Sequence, residues 1–320
     1  TLPGAATSAE AWAVLDQGRC TISEIPDDRW SGLRYVDPTG RPGTTYTRRA
    51  GVIDAPFSFD AAQFGISPRE ALQMDPQQRV LLQVVQQAFD HAGVDPTRMD
   101  RGRVGVFVGA ASSDHSTLGV ENPTQIGAQF MLGNTLSILS NRISYQWDLG
   151  GPSYTVDTAC STSLFAFDQA LAAMAAGVID TAVVAGVNIL LSPLPFIGFA
   201  QASMLSPEGL CRAFGAGGRG YVRSEGAVAF ILRRADIARA EGNLIRSDVI
   251  ASGTNNDGRT GGVALPSGAA QARLIADVME RGGYDANDLA FVEAHGTGTE
   301  VGDPIEAGAL GEVYGARRNT

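Results

Sequence analysis

Two short stretches combine residue types that could do covalent chemistry. The first is Ser153-Tyr154-Thr155-Val156-Asp157-Thr158-Ala159-Cys160-Ser161-Thr162-Ser163-Leu164. A β-rich run leads into Cys160 and a helical pattern follows at once. That order puts the sulfur at a helix N-terminus, where unpaired N–H groups and the macrodipole favour thiolate. The small neighbours Ala159 and Ser161 permit a sharp strand-to-helix turn, and the same backbone amides could hold an oxyanion. The second stretch is Phe291-Val292-Glu293-Ala294-His295-Gly296-Thr297-Gly298-Thr299. Here an apolar run ends in a histidine followed by glycines and two hydroxyls, and strand ends are where α/β folds gather ligands. Residue types alone leave open a buried structural cysteine at 160 and a structural hydrogen-bonding histidine at 295. Cys20, Cys211, His91 and His115 have no comparable surroundings.

The elements that must position these residues are legible in outline. The first 60 residues are rich in turn formers, such as Asp37-Pro38-Thr39-Gly40 and Arg41-Pro42-Gly43, interrupted by a short helix from Ser8 to Asp16 that stops at Gly18. Asp75-Pro76-Gln77-Gln78 opens a longer helix, with Asp75 as N-cap, Pro76 in the first turn and Gln78 completing a capping box. Leu81, Leu82, Val85, Ala88 and Phe89 form its apolar face. Strand-like runs follow at 104–108, 154–156, 181–190, 227–232, 249–251 and 289–292. They are apolar on both faces, as strands covered by helices on each side must be. Helical stretches at 161–176 and 269–281 lie between them. The spacing predicts an α/β layered protein with a mixed, buried sheet. Asp303-Pro304-Ile305-Glu306 repeats the capping signature of Asp75, which suggests internal duplication.

Composition narrows the function classes. The 320 residues suffice for one or two globular domains. The net charge of −10 argues against a general binder of nucleic-acid backbones. All 24 basic residues are arginine, which excludes a Schiff-base or P-loop lysine within these residues. Three scattered cysteines make neither a disulfide framework nor a C-x-x-C metal site, so no metal is expected. No apolar run is long enough to span a membrane, and the chain reads as a soluble, cytoplasmic protein. Gly215-Ala216-Gly217-Gly218-Arg219-Gly220 fits G-x-G-x-x-G, but a strand rather than a helix follows, so it does not read as a dinucleotide site.

The whole pattern resembles the β-ketoacyl synthases of modular polyketide synthases. The resemblance rests on Val156 to Leu164, on Glu293 to Thr299, and on Gly302-Asp303-Pro304-Ile305-Glu306-Ala307. It extends to Phe64 to Glu70, Met74 to Arg79, Ser140 to Tyr145, Met204 to Pro207 and Asn256 to Thr260, and covers essentially the whole chain. It implies a thiolase-like α/β fold of two similar layered halves, here 1–240 and the beginning of a second half at 241–320, paired into a homodimer. It implies an acyltransferase in which Cys160 is the nucleophile and takes an acyl chain from the phosphopantetheine of an acyl carrier protein. His295 matches the family's first histidine, which assists condensation with a malonyl-type extender. Thr297 and Thr299 match hydroxyls that contact the pantetheine arm. No cofactor is expected on the chain itself. Its partners would be the acyl carrier protein, a second copy and other domains of the same synthase.

Two departures from the family pattern stand out. The family's first strand, second histidine and Gly/Phe-rich C-terminal loop have no counterpart, so both termini read as truncated. The family also reads Phe-Asp-x-x-x-Asp-Gly where this chain has Phe214-Gly215-Ala216-Gly217-Gly218-Arg219-Gly220, with Gly215 and Arg219 in place of two aspartates. The resemblance places a mobile active-site loop there. An alternative reading is therefore a non-elongating, ketosynthase-like module that passes on acyl chains or serves as a docking platform. An acidic carrier would need local basic patches, for which Arg48-Arg49 and Arg233-Arg234 are the sequence candidates.

Overall fold

The computed structural model describes residues 1–121 and 123–315. The chain end at Asn319-Thr320, read above as cut, lies outside the described residues. The chain divides into two compact units that do not follow sequence order. The first comprises 1–30, 51–192 and 224–248; the second comprises 31–50, 193–223 and 249–320.

The first unit is built on a four-stranded sheet. Its strands are β1 (Val104–Gly109), β2 (Ser153–Val156), β3 (Thr181–Asn188) and β4 (Gly226–Arg233), in the order β2-β1-β3-β4. β1 runs parallel to β2, with Gly109 opposite Val156, and parallel to β3, with Gly109 opposite Gly186. β4 closes the order antiparallel to β3, Asn188 facing Gly226. Alternation along β1 sorts its side chains to two faces. Val104, Val106 and Val108 join one core with Val80, Leu81, Val85 and Phe89 of helix α2 (Pro76–Ala92) and with Leu139 and Ile143 of α3 (Ser137–Trp147). Phe107 joins another on the opposite face, with Ala182, Val184 and the small residues Ala166 and Ala170 of α4 (Thr162–Ala175). Helix α1 (Ser8–Asp16) has the bounds its sequence predicts, closed by a capping box of Thr7 and Glu10.

Three expectations are corrected here. At α2, Asp75 does cap the helix, accepting the Gln77 N–H at 2.8 Å, but Gln78 completes no capping box. Its amide instead donates to the carbonyls of Leu132 and Gly133, the second of which also accepts the Asp75 N–H at 2.8 Å. Burial on both faces holds for β1 but not for β4, where Val228 and Phe230 are exposed. Finally, 249–251 and 289–292 form no strand. An apolar run becomes a strand only where a ladder partner takes its N–H and C=O groups, and neither run has one among the described residues.

The second unit contributes α5 (Leu194–Gln201), α6 (Gly268–Gly282) and α7 (Gly302–Leu310). Ala272 and Met279 of α6 pack with Ala309 of α7 in a separate small core. The α7 signature does not repeat that of α2. Val301 is the N-cap, and Asp303 lies inside the first turn with its carboxylate turned to other backbone amides.

Candidate active site

The Cys160 turn is assembled from short-range bonds. After β2 ends at Val156, Asp157 Oδ1 accepts the Ala159 N–H at 2.9 Å. The Thr158 N–H donates to Thr162 Oγ1 at 2.9 Å, and the Thr162 hydroxyl donates to the Ala159 carbonyl. Ala159 is thereby held at φ +55°, a left-handed conformation that costs a non-glycine residue about 1–2 kcal/mol. A single 3₁₀ turn, Ala159–Ser161, carries Cys160 into α4. Its side chain is exposed, in no disulfide, and borders a cavity of about 570 Å³ whose walls include Ala110, Leu164, Phe167, Val228 and Phe230.

Two glycines bring this turn onto the sheet. A Cβ on Gly109 would lie 2.8 Å from the backbone N and Cα of Ser163, and one on Gly186 would lie 3.0 Å from Ser163 Cβ. These residues face each other across β1 and β3, so the first turn of α4 rests directly on the carboxyl ends of the parallel strands. Neither glycine was singled out by the sequence analysis. The available signal was a glycine in each of two strand-like runs, closing Val-Phe-Val-Gly and lying inside Val-Val-Ala-Gly-Val-Asn.

His295 lies in the second unit, so the two residues are described separately. Residues 289–300 form neither helix nor strand, and His295 is exposed. Its position is set from behind by α7. Glu306 accepts the N–H groups of His295 and Gly296 on its two oxygens, at 2.7 and 2.9 Å. Asp303, buried, accepts the Gly298 N–H at 3.0 Å and the Phe214 N–H at 2.6 Å. One carboxylate thus anchors both the 295–299 segment and the start of the glycine-rich loop. That loop is tied a second time, because the Gly220 N–H donates to the Gly298 carbonyl at 2.9 Å. Thr297 and Thr299 are brought together, their hydroxyl oxygens 2.9 Å apart, and Thr299 Oγ1 also accepts the Gly302 N–H at 3.1 Å. Cys211 donates to the Gly296 carbonyl at 3.5 Å, and burial, with Asp303 nearby, pushes its thiol up.

Comparisons with known proteins identify this pattern. The sequence model of the β-ketoacyl synthase N-terminal domain matches residues 1–238, and that of the C-terminal domain matches residues 247–320. The chain belongs to the β-ketoacyl synthase family. Among its relatives, the partially reducing polyketide synthase men1 of Menisporopsis theobromae is 41% identical over 99% of this chain and 12% of its own length. Erythronolide synthase EryA2 of Saccharopolyspora erythraea is 40% identical over 99% of this chain and 9% of its own. Among solved structures, the oxazolomycin ketosynthase domain OzmH KS7 of Streptomyces albus JA3453 superposes with a TM-score of 0.95 at 36% identity, covering 99% of this chain and 55% of that one. The ketosynthase from module 6 of the Bacillus subtilis 168 bacillaene synthase gives 0.90 at 37% identity, over 100% and 53%. This β-ketoacyl synthase chain therefore has the α/β fold of polyketide ketosynthase domains, and it spans about half of the solved chains and a small part of the curated relatives.

Both arginine pairs are engaged locally, and the Arg234 side chain stays 44% exposed. Arg233 is held by Glu241 and Asn243, and Arg234 by Asp180 and Asp236. The Arg48 guanidinium lies against Gly32, and the Arg49 side chain packs on Gly209 with its Nε buried. Among the described residues no helix is long and apolar enough to cross a membrane, and no group of three His, Cys, Asp or Glu side chains could hold a metal ion.

Proposed function

We propose that this chain carries the ketosynthase activity of a polyketide synthase, with the N-terminal half at 1–240 and the beginning of the C-terminal half at 241–320. In this reading Cys160 is the nucleophile. Its thiolate attacks the acyl thioester on the phosphopantetheine of an acyl carrier protein, the pantetheine thiol leaves, and the acyl chain stays on the sulfur. A malonyl-type extender then loses carbon dioxide, and the resulting enolate attacks the acyl-Cys160 thioester. The carbon–carbon bond forms as the Cys160 thiolate departs. Sulfur suits both steps, since a thiolate is a good nucleophile and a good leaving group.

His295 serves the second half-reaction, its imidazole donating to the extender's thioester carbonyl as enolate charge develops. Thr297 and Thr299 bind the pantetheine arm. The chain needs no cofactor or metal of its own, works as a cytoplasmic homodimer, and meets its substrates through the carrier and the neighbouring domains of the synthase. The observation that carries this reading is the Cys160 turn, strained at Ala159 and set by Gly109 and Gly186 at the head of α4. Mass spectrometry after incubation with an acyl thioester tests it: the expected adduct maps to Cys160, and an unmodified Cys160 peptide sinks the assignment.

A second reading, a non-elongating acyl-transfer or docking module, draws on Gly215 and Arg219 in place of the family's aspartates. It predicts an acyl adduct on Cys160 but no condensed product when a malonyl-carrier is added.

A further inference from the structure

Polar side chains hold the Cys160 turn, and they are not equivalent. Asp157 accepts the Ala159 N–H at 2.9 Å, and the Ser161 hydroxyl donates to the Thr158 carbonyl at 3.0 Å. Both bonds are exposed, where water competes for the same groups. Thr162, the first residue of α4, is 5% exposed. Its hydroxyl works twice, accepting the Thr158 N–H at 2.9 Å and donating to the Ala159 carbonyl. One oxygen therefore ties the backbone on both sides of the left-handed Ala159. The Thr162 N–H donates to the same carbonyl. Its backbone rests on β1, where a Cβ on Gly109 would lie 2.9 Å from the Thr162 carbonyl carbon.

These bonds decide more than the shape of the turn. The Ala159 carbonyl and the Cys160 N–H belong to one planar trans peptide, so they point in opposite directions. With the carbonyl turned back to Thr162, that peptide directs the Cys160 N–H away from α4, as the first amides of a helix are directed. A thioester under attack by a thiolate develops an oxyanion on the atom next to the attacked carbon, within reach of the nucleophile's own amide. Turning that amide aside costs stabilisation of the oxyanion and leaves the sulfur as it was.

We propose that Thr162 is a positioning residue for acylation, its hydroxyl fixing the Ala159–Cys160 peptide so that the Cys160 N–H meets the developing oxyanion. This rests on Cys160 being the nucleophile, as in the function proposed above, and adds the residue that aims it. In the step concerned, the sulfur's electron pair forms the bond to the acyl carbon and the carbonyl pair moves onto oxygen. That pair returns as the carbon–sulfur bond to the donor thiol breaks, and the departing thiolate takes a proton from water. Thr162 exchanges no proton with the substrate. It holds one peptide plane still.

The rates of two reactions at Cys160, read by mass spectrometry on the full-length protein, test this. Acylation by a small acyl thioester passes through an oxyanion, whereas alkylation by iodoacetamide displaces iodide and forms none. Thr162→Val keeps the branched shape and removes the hydroxyl. It is expected to lower the maximal acylation rate roughly 10- to 100-fold at an unchanged half-saturating thioester concentration, and to change alkylation by no more than about twofold. Thr162→Ala removes the same hydroxyl with a good helix former and should behave alike, so poor folding of one variant leaves the other to decide. Thr162→Ser keeps the hydroxyl and should recover most of the acylation rate. Wild-type acylation in a folded valine or alanine variant overturns the proposal. So does equal slowing of acylation and alkylation, which a general loosening of the turn would give, and so does a serine variant as slow as the valine one. A wild-type Cys160 that is alkylated but never acylated overturns the proposed function and this proposal with it, and only that outcome touches the function.

Discussion

The residues that sequence alone singled out, Cys160 and His295, should separate into two half-reactions. Cys160→Ala is expected to abolish covalent loading, read as acyl mass on the protein. His295→Ala should still load Cys160 while losing condensation by roughly 10²–10³, the usual cost of deleting one transition-state donor. A folded His295→Ala protein that cannot be loaded would break this division of labour. The residue behind His295 gives a further test. Glu306 holds the His295 and Gly296 amides on its two oxygens, so Glu306→Ala leaves both donors without their acceptor and frees the segment to shift. Condensation should fall while loading is spared, and Glu306→Gln, which keeps one acceptor oxygen, should recover part of the loss. Equal rates in Ala, Gln and wild-type proteins would show that the imidazole is positioned some other way. The sequence announced the cysteine and histidine because their types and neighbours are rare together. It hid Glu306 and Asp303, whose carboxylates read as helix-start residues while their partners are backbone amides in other segments.

At the scale of elements, the strands that became part of the sheet are those whose apolar runs had neighbours to pair with. The runs at 249–251 and 289–292 looked equivalent by composition, and pairing is a non-local property that composition does not contain. The helix bounds were more legible, since caps are local: Thr7 with Glu10 at α1, Asp75 at α2 and Gly283 at the end of α6 all lie within a few residues of what they cap. The approach of α4 to the sheet was not legible, because it depends on a missing Cβ at Gly109 meeting the backbone of Ser163, far along the sequence. Gly109→Ala places a methyl 2.8 Å from the Ser163 backbone, which cannot rotate aside. Overpacking of this kind costs typically about 1–3 kcal/mol. The helix must move, so loading of Cys160 should slow by more than the loss of stability explains. Urea denaturation together with acylation rates checks this, and a variant with wild-type stability and loading would remove Gly109 from the site's support. A second test lies away from the site. Glu225 is fully buried against Arg29 and also accepts the N–H groups of Ile53 and Leu190. Glu225→Ala takes one of two carboxylates from Arg29, which keeps Asp28 at 2.9 Å, and removes the acceptor of the Ile53 and Leu190 amides. It should destabilise the first unit by about 1–3 kcal/mol in the same measurement, the usual cost of leaving buried polar groups unsatisfied.

For the whole molecule, the net charge of −10 was legible at once, but not where it is compensated. Arg233-Arg234 read as a basic patch only while Asp180, Asp236 and Glu241 were out of view. Asp180 is the centre of that compensation. It sits just before β3, bonded through its carboxylate to Arg103 before β1 and to Arg234 after β4. Its backbone accepts and donates in the same place, with the Asp180 N–H to Arg103 O and the Arg234 N–H to Asp180 O. The Arg103 guanidinium is the main cause that holds the Asp180 carboxyl at about 2, against 3.8 for the unperturbed group, and Arg234 adds to it. The folded state therefore binds this proton more weakly than the unfolded chain does. The stabilisation is fully present above about pH 4 and is lost as pH falls from there through about 2. Asp75 works in the opposite sense, since burial raises its carboxyl, and its contribution declines as pH rises above 3.8. The two effects occupy adjacent windows on either side of about pH 4, so they can be told apart in one titration. Asp180→Asn should flatten the acid limb of the stability curve between about pH 4 and 2 and leave the slope above that window unchanged. Urea midpoints measured across roughly pH 2–7 read both regions, and an Asp180→Asn protein whose acid limb keeps its wild-type steepness would show that other carboxylates carry the acid sensitivity of the fold.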